Sequence, residues 1–179
     1  MQLTNSVSAY GFLSKLLHSV VGVLFIYVFY IGFTMTDLPD SDLKWEAFAL
    51  HKSLGVSIFC LILIRFLLIK VQVRPESVHL GILGRLLSRF VHASLYVVMF
   101  LFPLSGYLMA MSGGYSVEVF GYHIPDYIGQ NEDLYEISRY MHGSLVPLTF
   151  GLVGLHLSGA LFNHFIKKND CIKRISPFH

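Results

Sequence analysis

Charge is scarce in this sequence. Asp, Glu, Lys and Arg make up 13% of its 179 residues, against 54% hydrophobic residues, and the mean hydropathy is +0.61. A soluble domain carries about twice that share of charge, so an ordinary water-soluble fold is excluded and a polytopic membrane protein is expected. Cysteine is nearly missing: Cys60 lies in an apolar run and Cys171 in a basic tail, which excludes a disulfide framework. Internal repeats and low-complexity tracts are absent. No A-x-A-like site follows the first apolar run, which is also too long for the core of a signal peptide, so an uncleaved signal anchor is expected. The net charge of +2 says little by itself, and no nucleic-acid partner is expected.

Four apolar segments are present, about Leu13–Met35, Phe48–Ile69, Phe90–Met111 and Met141–Ile166. Each has the roughly twenty residues that a helix needs to cross a bilayer. The expected fold is all-α, an integral membrane four-helix bundle in one domain over residues 1–179. The connecting segments divide by charge. Asp37, Asp40, Asp42 and Glu46 surround Lys44 between the first two segments, and Glu118, Asp126, Glu132, Asp133 and Glu136 surround Arg139 between the last two. The opposite side holds Lys15, Arg65, Lys70, Arg74, Arg85, Arg89, Lys167, Lys168, Lys173 and Arg174. The positive-inside rule then places both termini and the 70–89 loop in the cytoplasm.

The histidines inside these segments carry the chemistry. His142 and His156 share the fourth segment, where helical geometry sets them about 40° apart in direction and about 21 Å apart along the axis. Ionisable groups in hydrocarbon are costly and point to function. His51 opens the second segment at the depth of His142, and His18 in the first reaches the depth of His156. An outer pair, His51 with His142, and an inner pair, His18 with His156, are therefore expected. His92, at the cytoplasmic start of the third segment, competes for the inner place. Small residues follow three of these histidines by four positions (Gly22, Gly55, Ala160), leaving room on the same helical face for a flat macrocycle. Tyr96 follows His92 and Val146 follows His142. Gly143, Pro147, Gly151, Gly154 and Ser158 form a separate small-residue stripe, expected to seat a neighbouring helix closely.

Paired neutral imidazoles suit low-spin haem iron in a helical bundle. Zinc asks for three or four ligands in one shell, often carboxylates or thiolates, and no acidic residue lies inside the spans. No CxxCH stretch is present for covalent haem attachment. Lys52 and Arg139 at the outer edge, and Lys15, Arg65 and Arg89 at the inner edge, are candidate cations for haem propionates, although such side chains commonly just snorkel. His92 reads as a structural or proton-handling residue and His164 as interfacial. His79, His123 and His179 fall in loops or the tail. In the longest loop, Ser112–Tyr140, the run YSVEVFGYHIP is β-capable, and Asn131 can cap a helix with Glu132, Asp133 and Glu136 in its early turns. That loop reads as a lid over the outer haem rather than as a docking surface.

The ordered stretches YGFLSKLLH, LHKSLGV, RFVHASLYVVMFLFPLSGYLM, FGYHIPDYIGQNEDL, MHGSLV and LHLSGALFNHF resemble the bacterial cytochrome b561 family over nearly the whole chain. The resemblance implies a four-helix cytochrome of the bacterial inner membrane with two non-covalent haem b groups and a link to the quinone pool, ubiquinone being the quinone expected. The family's ligands carry over to His18, His51, His142 and His156. The implied activity is one-electron transfer between a periplasmic-side donor, superoxide among the candidates, and membrane quinone. His92, His164 and Lys15 are candidates for the quinone site. The alternative is a haem-containing anchor and relay subunit of a separate dehydrogenase, with a redox partner protein; a haem-free metal or proton transporter would bring intramembrane carboxylates. Ser19 and Asn163–His164 depart from a superoxide-oxidising member, which has tryptophan after the first ligand and paired histidines late in helix four. For topology, a reporter fused after His179 should read cytoplasmic and one inserted at Asp126 should read outside; the reverse pattern would overturn every depth assignment.

Overall fold

The computed structural model describes residues 2–76 and 80–178. Four long helices, α1 (Phe12–Thr34), α2 (Asp42–Val71), α3 (Ile82–Ser112) and α4 (Glu132–Leu161), are joined by a hairpin of β1 (Val117–Val119) and β2 (Tyr122–Ile124) before α4. A π-helical turn, Phe162–Ile166, prolongs α4, and a short α5 (Cys171–Ile175) follows. All four long helices are long and apolar enough to span a membrane.

Three of these helices outrun the expected spans because polar residues extend them beyond the hydrocarbon. Asp42 sits in the first turn of α2, where its charge suits the positive end of the helix. In α4 the helix begins at Glu132 rather than Met141. The Asn131 side chain accepts from the Leu134 amide at 2.9 Å, satisfying one of the free N–H groups at the helix start. The expected helix behind Asn131 is thus the first part of α4 itself.

Apolar side chains point outward as well as inward. On α1, Leu17, Val21, Ile31 and Met35 are buried, while Val23, Ile26, Tyr30 and Phe33 are exposed. On α4 the buried face is Ser138, Leu145, Thr149 and Leu152, with Leu148, Phe150 and Leu155 exposed. So much exposed apolar surface is stable only against lipid. The small-residue stripe of α4 departs from expectation. Gly143, Pro147, Gly151, Gly154 and Ser158 are all exposed, and a Cβ added at Gly143, Gly151 or Gly154 would meet nothing within 4 Å. Among the described residues the stripe seats no helix, because the buried face of α4 lies on its other side.

The chain divides into two compact units, residues 1–20, 63–98 and 147–179 in one, 21–62 and 99–146 in the other. In the first unit the N-terminal segment, the segment after α2 and α5 are tied together. Asn5 N donates to Gln72 Oε1 at 3.0 Å, Glu76 N to Val7 O at 2.8 Å, and Arg174 Nη2 to Glu76 O at 2.7 Å. The regions expected to share one side of the membrane therefore meet. The second unit packs Val21, Ile58 and Ile62 into one cluster and Ile31, Met35 and Leu54 into another. Its hairpin turns at Phe120 and Gly121, both at positive φ (48° and 87°), which a two-residue hairpin loop requires and glycine supplies at little cost.

Removing the α4 cap should be measurable. Asn131→Ala is expected to cost about 0.5–2 kcal/mol and to lower the thermal unfolding midpoint of detergent-purified protein, whereas Asn131→Asp should restore it. An unchanged midpoint in the alanine variant would show that the cap carries no stability.

Candidate cofactor sites

In the second unit, His51 on α2 faces His142 on α4, with ring centroids 6.3 Å apart and planes at 81°. Each imidazole rests on the backbone of another helix. His51 Nδ1 lies 3.1 Å from Val28 O on α1. A carbonyl can only accept, so Nδ1 carries the proton and Nε2 keeps a free lone pair. The ring comes this close because residue 32, four after Val28, is glycine: a Cβ there would lie 2.8 Å from His51 Cε1. On α3 the same arrangement recurs. His142 Nδ1 lies 3.1 Å from Phe102 O, and a Cβ at Gly106, again four residues on, would lie 3.1 Å from His142 Cε1. The fully buried Ser105 donates its hydroxyl proton to Phe102 O at 2.8 Å. Its Oγ, 3.0 Å from His142 Nδ1, can then only accept from the ring.

In the first unit, His18 on α1 and His156 on α4 stand 6.1 Å apart with planes at 68°. His92 on α3 lies 5.0 Å from His156 at 90°, and its Nδ1 is 2.6 Å from Ser88 O. His18 Nδ1 is buried with no hydrogen-bond partner among the described residues. Arg65 lies over the Tyr96 ring at 5.6 Å.

These separations decide what the pairs can hold. Two imidazoles that were to hold one metal between them, at about 2 Å per metal–nitrogen bond and about 1.1 Å from nitrogen to ring centre, would stand about 6 Å apart. Both pairs stand near that spacing, and His92 stands closer to His156, at 5.0 Å. The residues fit haem in two further respects. The Nδ1–H tautomer at His51 and His142 leaves Nε2 as ligand, and a Cβ at Gly22 or Gly55 would touch no protein atom within 4 Å, so space for a ring is open beside those helices. Among the described residues no group of three or more His, Cys, Asp or Glu side chains could close around a bare ion.

The candidate cations are placed less evenly. Lys52 donates to Ser116 O at 2.5 Å, and Arg139 pairs with Glu136 at 2.7 Å, so both outer-edge cations have protein partners. Arg89 is exposed, and Arg65 is half-buried beside the first-unit pair. Lys15 is half-buried on α1. The hairpin is fixed to α2 and α3: Ser53 Oγ donates to Glu118 O at 2.7 Å, and Val117, Ile124 and Ile128 pack with Ala110 and Met111. Asp126, whose carboxylate accepts from the Ile128 and Gly129 amides, is held below the usual carboxylate range by those two bonds. His164 Nδ1 lies 3.3 Å from Asn169 O and His123 is exposed on β2. His79 and His179 lie outside the described residues.

Val28, Gly32, Phe102, Ser105 and Gly106 escaped the sequence reading, which looked for small residues only on each histidine's own helix. The signal lay on the other helices, as a glycine at matching depth. Gly32→Ala should push the His51 ring off Val28 O and lower the haem retained after purification, measured as pyridine haemochrome per chain. Gly106→Ala, with the longer 3.1 Å approach, should lose less; equal retention in both variants and wild type would remove the close approach as a determinant.

Comparison with known proteins bears on the same residues. The family model described as prokaryotic cytochrome b561 matches residues 9–177. The chain is 29% identical to "Cytochrome b561 homolog 2" of Escherichia coli (strain K12), over 98% of this chain and 95% of that protein. It is 26% identical to "Probable superoxide oxidase CybB" of Yersinia pestis over 78% of this chain and 79% of the relative. "Cytochrome b561 homolog 1" of Escherichia coli (strain K12) matches at 23% identity over about half of each chain, 50% and 51%. The match over residues 9–177 and the four membrane-spanning helices agree, and the chain belongs to the prokaryotic cytochrome b561 family, membrane b-type cytochromes of electron transfer.

Proposed function

We propose that the protein binds two haem b groups, one between His51 and His142 and one between His18 and His156, and passes electrons between a periplasmic-side donor and membrane quinone. The two centroid separations of 6.3 and 6.1 Å carry the reading. Haem b, when bound, supplies a one-electron Fe(III)/Fe(II) couple whose potential follows its ligands and surroundings. The chain supplies the rest. Val28 O and Phe102 O hold His51 and His142 as Nδ1–H donors with Nε2 free. The hairpin, tied to Ser53, limits water at the site beside His51.

In the first unit, His92 is exposed, anchored through Nδ1 to Ser88 O and adjacent to His156. It presents Nε2 as a hydrogen-bonding partner for a quinone head, a role that suits its place beside the pair better than ligation does. The name of the Yersinia pestis relative points to superoxide as the donor. Ser19 and Asn163–His164 stand against carrying that activity over unchanged. The protein then resides in the bacterial inner membrane with both termini in the cytoplasm, as the lysine and arginine distribution supports.

Stoichiometry and pairing test this directly. Pyridine haemochrome analysis should give two haems per chain, all extracted by acidified acetone. His51→Ala should remove the same component of the reduced-minus-oxidised spectrum as His142→Ala, and His18→Ala the same as His156→Ala, while His92→Ala should keep both haems and slow quinone reduction. One haem per chain, or loss of the same haem in His92→Ala and His156→Ala with His18→Ala intact, would defeat the ligand assignment.

A further inference from the structure

The β1–β2 hairpin is seated well inside the apolar part of α2. Phe120 N donates to Ser53 Oγ at 3.4 Å, and the same hydroxyl donates to Glu118 O at 2.7 Å. Lys52 Nζ donates to Ser116 O. Ser53 lies five residues inside the apolar run that starts at Phe48, about 7.5 Å along the helix. Ile124 of β2 lines an apolar cavity of about 190 Å³ with Val56, Phe59, Pro103, Leu104 and Tyr107, and Phe59 is six residues beyond Ser53. A two-stranded hairpin leaves the backbone groups on its outer edges unpaired, which hydrocarbon does not tolerate. Here side chains of α2 engage Ser116 O, Glu118 O and Phe120 N along one edge.

The tip of the hairpin is aromatic where turn chemistry asks for another residue. Phe120 has φ 48°, a conformation costly for a bulky side chain and usually taken in such turns by Asn or Gly. Phe120 is 64% exposed and Tyr122 81%, so packing against the chain does not offset that strain. Transfer of the ring into acyl chains does. Ser53 also shares its face of α2 with Leu50 and Cys60, three residues before it and seven after, and both are exposed. The face that holds the hairpin is therefore lipid-facing on either side of it.

We propose that the hairpin is a lipid-binding element, seated in the leaflet on its own side of the membrane with Phe120 and Tyr122 among the acyl chains near the headgroup boundary. Glu118 and His123, paired across the strands and both exposed, set the other limit, because a carboxylate and an imidazole stay with headgroups and water. The hairpin thus lies in the interface with its tip turned inward and does not cross the hydrocarbon. The inference needs neither the haem ligands nor the direction of insertion.

Spin-label accessibility on the full chain in phosphatidylcholine nanodiscs tests the seating. Cys60 and Cys171 are free, so both are first replaced by serine, and a nitroxide is attached at Phe120→Cys or Tyr122→Cys. Power saturation is read with oxygen, which concentrates in acyl chains, and with nickel ethylenediaminediacetate, which stays in water, each against nitrogen. Labels at 120 and 122 should favour oxygen, as at the exposed Ile26→Cys of α1, whereas Asp133→Cys in the first turn of α4 should favour nickel. Nickel exceeding oxygen at both hairpin sites would place the tip in water and overturn the proposal. Low access to both reagents would mean that protein, such as a second copy of the chain, covers the tip, and would overturn it equally. An unlabelled variant gives a second reading. Asn suits φ 48° better than Phe, so in water Phe120→Asn would raise the thermal unfolding midpoint; in lipid it should lower it. A midpoint raised or unchanged in nanodiscs would contradict the proposal.

Discussion

Two imidazoles that share one iron must face each other about 6 Å apart, each with a bare Nε2 turned toward the gap. In the proposed reading the two histidine pairs answer to that constraint. Three helices, α1, α2 and α4, carry the four rings, and a ring can be aimed only if something holds its other nitrogen. In the second unit that something is the helix backbone: Val28 O for His51 and Phe102 O for His142. A helix carbonyl is already engaged in the helix ladder, so a second donor can reach it only from close range. Glycine at 32 and 106 opens that range, and alanine at either would push the ring away. The phenylalanines extend the same support, since Phe102 lies edge-on to His142 at 4.8 Å and meets Phe29 at 5.8 Å.

The fold was legible in the sequence because membrane insertion leaves a coarse and strong signal. Long apolar runs gave the spans, and the charge partition gave an arrangement in which the N-terminal segment, the segment after α2 and the C-terminal segment share a side, as the contacts of Asn5, Glu76 and Arg174 require. Helix ends were less legible. Hydropathy marks where hydrocarbon ends, whereas α4 continues to its Asn131 cap through polar residues that need no lipid. The outer pair followed from depth, because rise per residue converts position into height. Depth could not separate His92 from His18 for the inner place, where only the neighbours four residues on, Gly22 against Tyr96, favoured His18. In the structure His92 and His18 both lie near His156, with ring centroids 5.0 and 6.1 Å from it.

Other features depended on partners distant in sequence. The stripe from Gly143 to Ser158 has the spacing that seats a helix, yet it is exposed, since spacing says nothing of which face turns inward. Lys52 and Arg139 were equal candidates as propionate partners until Ser116 O and Glu136 were found to hold them. Val28 and Phe102 act through their backbone carbonyls, and a carbonyl leaves no mark in the residue type. What survives in the sequence is the glycine four positions later, a usable sign in other helical cytochromes: a ligand histidine on one helix and a glycine at its depth on another.

The central claim is that His51 with His142, and His18 with His156, each clasp one iron at the plane angles found, 81° and 68°. Electron paramagnetic resonance of the oxidised, haem-loaded protein at low temperature reads both the ligands and the angle between their planes. The account predicts two low-spin ferric signals of equal weight, both of the strongly anisotropic kind given by nearly perpendicular imidazoles. A dominant high-spin signal, or the ordinary rhombic low-spin spectrum of parallel imidazoles, would contradict it.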